Sequence, residues 1–407
     1  MSTRNGRAGA ASVARLLGWL LGLAVTLTPG AVAATESSPL GASPTPTLGL
    51  TPPEIHGFVS QGYIRSVSNN YLTRTDSSRG SFEFAELGIN FTQPLSDNLR
   101  AGIQLFSRDL GALGNYSIKA DWFYLDFRWA DWLGVRAGRT KLPFGLYNES
   151  NDVDGARVPI LLPQSVYPIR SRDYLLAQTG VELYGRLSSG SLGALDYRLY
   201  GGTIFLELNT TASAEGQVLE LRVPYLFGGR LMWETPIDGL RVGASAQKLR
   251  LDALGVQNAT PLEVKLPVVL WVASLEYAAD PLTLAVEYGR WHAERTSTAP
   301  EVAPRVTVDN ERAYAMAAVR VTDWLEPGAY YSVYFPNVKD RTGTAAQQHD
   351  LALSLRFDLQ ANWLFKLEGH YMVGTADVDR LLNVTLAGAT PLERNWAVFL
   401  AKTTAYF

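Results

Sequence analysis

Asp350-Leu351-Ala352-Leu353-Ser354-Leu355-Arg356-Phe357-Asp358 carries apolar residues at its odd positions and small, polar or charged ones at its even positions. Successive side chains of a strand point to opposite faces, so this stretch has one oily face and one polar face. Phe123, Leu125, Phe127 and Trp129 alternate in the same way with Tyr124, Asp126 and Arg128, and Ala85, Leu87, Ile89 and Phe91 with Glu86, Gly88 and Asn90. Each segment is a strand built to meet two solvents.

The period-two pattern recurs in sixteen segments between 55 and 407, among them 80–92, 172–187 and 225–235. The connections alternate in length. Short ones hold Pro94-Leu95-Ser96-Asp97, Ala130-Asp131, Pro236-Ile237-Asp238-Gly239, Ala279-Asp280, Thr322-Asp323 and Gln360-Ala361. Long ones run over about 67–79, 109–117, 143–171, 206–224, 252–264, 293–310, 336–347 and 375–391. The long connections separate sixteen strands with both chain ends on the short-turn side, the arrangement of a barrel inserted from the periplasm. The fold class is therefore all-β, a transmembrane antiparallel barrel of 16 strands over 54–407. Closure follows from the oily outer face: in hydrocarbon each backbone N–H and C=O needs a partner, and only a closed sheet has no free edge. No run of ~20 apolar residues is present to form a spanning helix. Trp129, Trp132, Trp324, Trp363 and Tyr277 stand beside the short turns, where an interfacial girdle belongs.

Residues 1–33 read as a secretory signal peptide, since Arg4, Arg7 and Arg15 precede an apolar run from Leu16 to Leu27 that closes on Ala31-Val32-Ala33. Residues 34–53, rich in Ser, Thr and Pro, read as a tether. Without the signal the chain carries 33 basic and 39 acidic residues, a formal −6, which disfavours a nucleic-acid partner. Cysteine is absent, so no disulfide framework or thiol anchor exists.

The stretch Gly134-Val135-Arg136-Ala137-Gly138-Arg139-Thr140-Lys141-Leu142-Pro143-Phe144-Gly145 resembles the phosphate-selective porin O and P family and its porin-like relatives, with Lys141, Pro143, Phe144 and Gly145 as the motif. The resemblance implies a 16-stranded porin, commonly a homotrimer, whose long third extracellular loop folds inward. Here that loop is Pro143 to Ser171, and its apolar run Val158-Pro159-Ile160-Leu161-Leu162-Pro163 suits either inward packing or contact with a neighbouring subunit. The family's arginine ladder is not carried over, because Arg100, Arg128, Arg136, Arg198, Arg230 and Arg356 are interleaved with Asp126, Glu182, Asp196, Glu234, Asp358 and Glu368, several as i,i+2 neighbours. The C-terminal strand, with Phe399 and Phe407 on one face and Lys402 on the other, resembles the signal read by the outer-membrane assembly machinery.

The expected function is passive diffusion of small hydrophilic solutes or ions across the outer membrane of a Gram-negative cell, with an anion preference open. The alternatives are a receptor or adhesion barrel, which would call for a plug or larger loops, and a barrel enzyme, which would need Ser, His and an acid meeting at the rim. No enzyme activity and no cofactor is expected, and His56, His292, His349 and His370 lack metal-ligand spacing. At the constriction Glu149, Asp152 and Asp154 are expected to face Arg100, Arg128 and Arg136 across a narrow gap, with Arg157 at the loop's later end. The partners are outer-membrane lipid, the permeating solutes and two further copies of the chain.

Overall fold

The structure is a computed structural model describing residues 52–111, 113–206, 216–257, 260–298, 305–385, 388–389 and 391–407. The signal peptide and nearly all of the tether lie outside the described residues. The strands are β1 (Glu54–Val67), β2 (Ala85–Pro94), β3 (Leu99–Asp109), β4 (Ile118–Ala130), β5 (Leu133–Lys141), β6 (Ala177–Ser188), β7 (Ala194–Thr203) and β8 (Gly216–Glu234). There follow β9 (Leu240–Gln257), β10 (Thr260–Ala279), β11 (Leu282–Ser297), β12 (Arg305–Val319), β13 (Leu325–Phe335), β14 (Gln348–Gln360), β15 (Trp363–Gly374) and β16 (Asn395–Tyr406).

These sixteen strands form one closed antiparallel barrel in which each strand pairs with its sequence neighbours. The seam is β1 against β16, from Phe58 opposite Tyr406 to Val67 opposite Ala397. Phe407 completes it with two backbone bonds to Gly57, of 2.9 and 3.0 Å. The outer face carries an apolar band: Leu351, Leu353, Leu355 and Trp129 are all exposed, while Asp350, Ala352 and Ser354 are buried. Exposed leucines beside buried aspartates invert a water-soluble core, as a hydrocarbon surround requires. Trp132, Trp324 and Trp363 are exposed beside the short turns.

Three boundaries differ from the sequence reading, each for a local reason. Residues 82–84 interrupt the ladder before Ala85, Ser81 keeps a bridge to Ile64, and Gly80, with φ 81°, then turns the chain away. Arg172–Leu175 forms one helical turn before β6 begins at Ala177. Within the expected connections 206–224, 252–264 and 293–310, residues 216–224, 252–257, 260–264, 293–297 and 305–310 are strand, because β8 to β12 continue well past the apolar band. There the outer face carries charges in pairs, such as Arg250–Asp252 at 2.9 Å, Lys265–Glu263 at 3.0 Å and Arg305–Glu294 at 2.7 Å, while Leu249, Leu251 and Val268 still face inward. The apolar outer face that marks a strand in sequence ends where that face meets water.

Candidate functional site

The site is the barrel lumen together with the connection from Leu142 to Leu176. Pro143 ends β5, having no N–H for the ladder. Phe144 then buries its ring among wall residues, 1% exposed, and Gly145 turns the chain with φ 62°. A Cβ at Gly145 would overlap the Tyr167 hydroxyl and lie 2.8 Å from Glu287, so glycine is required. Lys141, the motif's first residue, pairs with Asp152 at 2.5 Å and donates to the Glu149 carbonyl at 2.8 Å. The motif is thus the device that sends the chain from wall to lumen.

Inside, the connection packs against the wall as a second core. Leu142, Phe144, Tyr147, Leu162, Val166, Tyr167 and Leu175 meet inward-facing Tyr200, Leu226, Leu249, Leu270, Val272, Tyr314 and Met316 of β7 to β12. Ile160 and Leu161 meet a further cluster with Ile64, Phe84, Met372, Trp396 and Leu400. A non-regular segment buried this deeply must satisfy its backbone polar groups. Wall side chains do so from many directions. The Ser245 hydroxyl accepts from Gly145 N at 2.9 Å, Glu287 from Leu146 N at 2.9 Å, and Glu368 from Ile160 N and Leu161 N at 2.6 and 2.9 Å. Lys366 donates to the carbonyls of Asp154 and Arg157, both at 2.7 Å. His370 sits between Asp350 and Glu368, 2.9 Å from each, and so fixes the carboxylate that holds the loop.

The residues expected at the constriction separate into two groups. Arg100, Arg128, Arg136 and Glu149 line one cavity of about 750 Å³ at the short-turn end. Asp152 and Asp154 do not face those arginines and are buried between loop and wall. Asp152 takes Lys141 and Gln104 Nε2, the latter at 2.6 Å; Asp154 takes Lys402 and Thr404, both at 2.7 Å. Arg157 folds the loop on itself, pairing with Asp154 at 3.2 Å and donating to the Ile160 carbonyl at 3.0 Å. The reason is length: Asp is too short to reach across a lumen when lysines from the wall come to meet it. Burial opposes the charge on Asp152, but Lys141 and Arg172 outweigh it and hold its carboxyl at about 2. Burial likewise opposes the charge on Asp154, and Lys402, Lys366 and Arg157 hold it well below the usual carboxylate range.

Around the cavity the charges pair across strands more than along them. Arg100, Asp126, Arg136 and Glu182 are successive register neighbours on β3 to β6. Asp126 binds Arg100 at 2.7 Å and Arg136 at 3.2 Å, while Arg128 turns away to Asp131 at 2.8 Å. Arg356 does pair along its strand, with Asp358 at 2.9 Å. Arg198 and Arg230 stand directly opposite each other on β7 and β8, a repulsive pairing in a sheet. Glu149 resolves it by reaching Arg198 at 3.2 Å and Arg230 at 2.8 Å. Burial opposes the Glu149 charge, yet Arg198, Arg230 and Arg136 outweigh it and keep the carboxyl below its ordinary range. The cavity is lined by seven arginines, Arg186 and Arg241 completing the set, against Glu54, Asp97, Asp126, Asp131, Glu149 and Asp196.

Glu287, Lys366 and Tyr167 were not singled out by sequence and His370 was weighed there only as a metal ligand, although Lys366, Glu368 and His370, at alternate inward positions of β15, signal a buried polar layer rather than a water-filled wall. No protein-family model matches the chain, and no curated protein matches it. Solved structures do. The anion-selective porin from Comamonas acidovorans is 14% identical, with 88% of this chain and 99% of that chain covered at a TM-score of 0.53. The outer-membrane expressed OmpT of Vibrio cholerae is 12% identical, covering 87% and 97% at 0.54. Salmonella typhi OmpF in complex with daunomycin is 12% identical, covering 87% and 97% at 0.53. What the chain shares with these outer-membrane proteins is the closed barrel fold.

Proposed function

We propose that the chain is an outer-membrane porin through which small hydrophilic solutes or ions diffuse passively, with a preference for anions. The observation that carries this reading is the cavity of about 750 Å³ lined by seven arginines against six carboxylates, Glu149 of the loop among them. Solutes pass at the short-turn end beside β3 to β9, because farther along β7 to β12 the lumen is filled by the apolar part of the loop. Guanidiniums tethered to wall carboxylates form a fixed polar lining that costs no reorganisation when an ion passes. The likeness of fold to an anion-selective porin supports the reading.

The same proposal includes export by the signal peptide at 1–33, assembly guided by Phe399 and Phe407, a homotrimer in the outer membrane of a Gram-negative cell, and kinship with the phosphate-selective porin O and P family. The Lys141-to-Gly145 motif supports the kinship through its role at the loop entrance. The test is the conductance and reversal potential of the purified protein in a planar bilayer under a salt gradient. A reversal potential on the anion side is expected; no conductance above the bare bilayer would overturn the channel.

A further inference from the structure

Gly369, in the middle of β15, is a glycine that the barrel itself does not require. It sits at an outward position of the strand, and a Cβ there would meet no atom within 4 Å. Glycine inside a strand weakens it and often marks a place where another molecule comes close. Phe399 stands opposite Gly369 and Ala397 opposite Tyr371, so two small residues share one diagonal and two rings the other. Leu353 and Leu351 continue these rows on β14, and Arg65 and Val67 continue them on β1. Together they frame a groove of about 600 Å³ on the outer wall.

The edge of this groove carries a charge that the wall does not answer. Arg65 is exposed, two residues before the long-loop end of β1, and makes no hydrogen bond or ion pair among the described residues. On β1, β14, β15 and β16 the odd-numbered positions form the outer face, and none of them is Asp or Glu. A guanidinium on a lipid-facing wall is least costly at headgroup depth, and a phosphate offers it two parallel hydrogen bonds. The groove beside it is apolar, with Leu351, Leu353, Tyr371 and Phe399 all exposed. A depression one side chain wide admits a flexible hydrocarbon chain, whereas a second barrel would bring a pleated wall of bulky side chains and would also have to supply the missing anion.

We propose that this groove binds one anionic phospholipid from the membrane leaflet on the long-loop side, its phosphate on Arg65 and an acyl chain over Gly369 and Ala397. The proposal rests on the barrel's place in a membrane and not on its conduction. Ala401→Cys, on the outer face two residues beyond Phe399, gives this cysteine-free chain one thiol for a bimane label. The full protein is reconstituted in dioleoylphosphatidylcholine vesicles holding increasing fractions of dibrominated phosphatidylglycerol or, in parallel, dibrominated phosphatidylcholine, whose bromines quench the label. Half-maximal quenching is expected at a roughly fivefold lower fraction of phosphatidylglycerol, the attraction of one basic residue for anionic lipid. Arg65→Gln should abolish this preference. Gly369→Leu fills the groove without meeting the barrel and leaves Arg65 in place, and it should abolish the preference too, with heat-modifiable mobility unchanged in both. Equal quenching by the two lipids overturns the proposal while leaving the membrane placement intact, and so does a preference that survives in either variant. Quenching by neither lipid also overturns it: thiol cross-links between chains would then show that a second copy covers the groove, and their absence that this wall does not face lipid.

Discussion

Replacing Glu149 by Gln removes one negative charge from the cavity while keeping a side chain of the same length. Glu149 lies 3.2 Å from Arg198 and 2.8 Å from Arg230, so the change leaves two facing guanidiniums less compensated and the lumen more positive by one unit. For an ion passing ~7 Å away in water, one charge is worth about 0.6 kcal/mol. At ~0.1 M salt the screening length is about 10 Å, which halves this to roughly 0.3 kcal/mol, or about half of RT. Anions gain by that factor and cations lose by it, so the anion-to-cation permeability ratio should rise roughly two- to threefold. At ~1 M salt the screening length shrinks to about 3 Å and the effect should nearly vanish. The assay is the reversal potential of single channels at both salts, read beside the conductance. A ratio unchanged at low salt, or a shift equally large at ~1 M, would refute the placement of Glu149 in the conduit. A large rise in conductance would show instead that the loop had moved.

Other substitutions address how the loop is held. Asp154→Asn leaves Lys402 and Lys366 buried beside a neutral group, and losing one partner of a buried pair costs ~3–5 kcal/mol; larger and noisier conductance and cleavage of the loop by added protease are the expected signs. The depressed carboxyls of Asp152, at about 2, and Asp154, lower still, contribute stability that is present above the unfolded value of ~3.9 and is lost only as pH falls through the folded values. Conductance should accordingly be steady from pH 7 to ~4 and become unstable between ~4 and ~2. Gly145→Ala places a Cβ against Tyr167 and Glu287 at a φ of 62°, and should lower the midpoint of thermal unfolding and open the loop in bilayer recordings. Deleting Phe407 removes the two bonds that finish the seam with Gly57, so the heat-modifiable, folded band should form more slowly in a refolding assay.

The barrel was legible because its signal is redundant. Leu351, Leu353 and Leu355 must face lipid and their neighbours must not, and that rule is repeated on sixteen strands, so one weak strand does not hide the count. The constriction was legible only in part. Glu149 and the arginines near it are long side chains whose reach makes many geometries workable, and sequence brought them together. Asp152 and Asp154 look identical in sequence to pore-lining acids, but beside the nearby Lys141 their partners Gln104, Lys402 and Thr404 come from strands farther away in the chain. Periodicity says which face a residue is on; it does not say which side chain waits on the opposite wall.

The inward apolar residues carry a consequence that alternation alone hides. Leu226, Leu270, Val272 and Met316 face the lumen, so β8, β10 and β12 are apolar on both faces over part of their length. A wall facing bulk water gains nothing from such residues, and each would be costly to leave wet. Their presence demands an apolar filling, and the Leu142–Leu176 connection supplies it with Phe144, Leu162, Val166 and Tyr167. On the opposite wall Arg100, Asp126 and Arg136 pair across β3 to β5, and its contacts to the connection are polar, Gln104 on Asp152 and Asp121 on Arg172. Apolar contact therefore decides that the loop leans toward β7 to β12, and the buried carboxylates and lysines decide where along the wall it rests. Water is left at the short-turn end, and Glu149, the loop residue that binds Arg198 on β7 and Arg230 on β8, marks the boundary between the filled part of the lumen and the wet one.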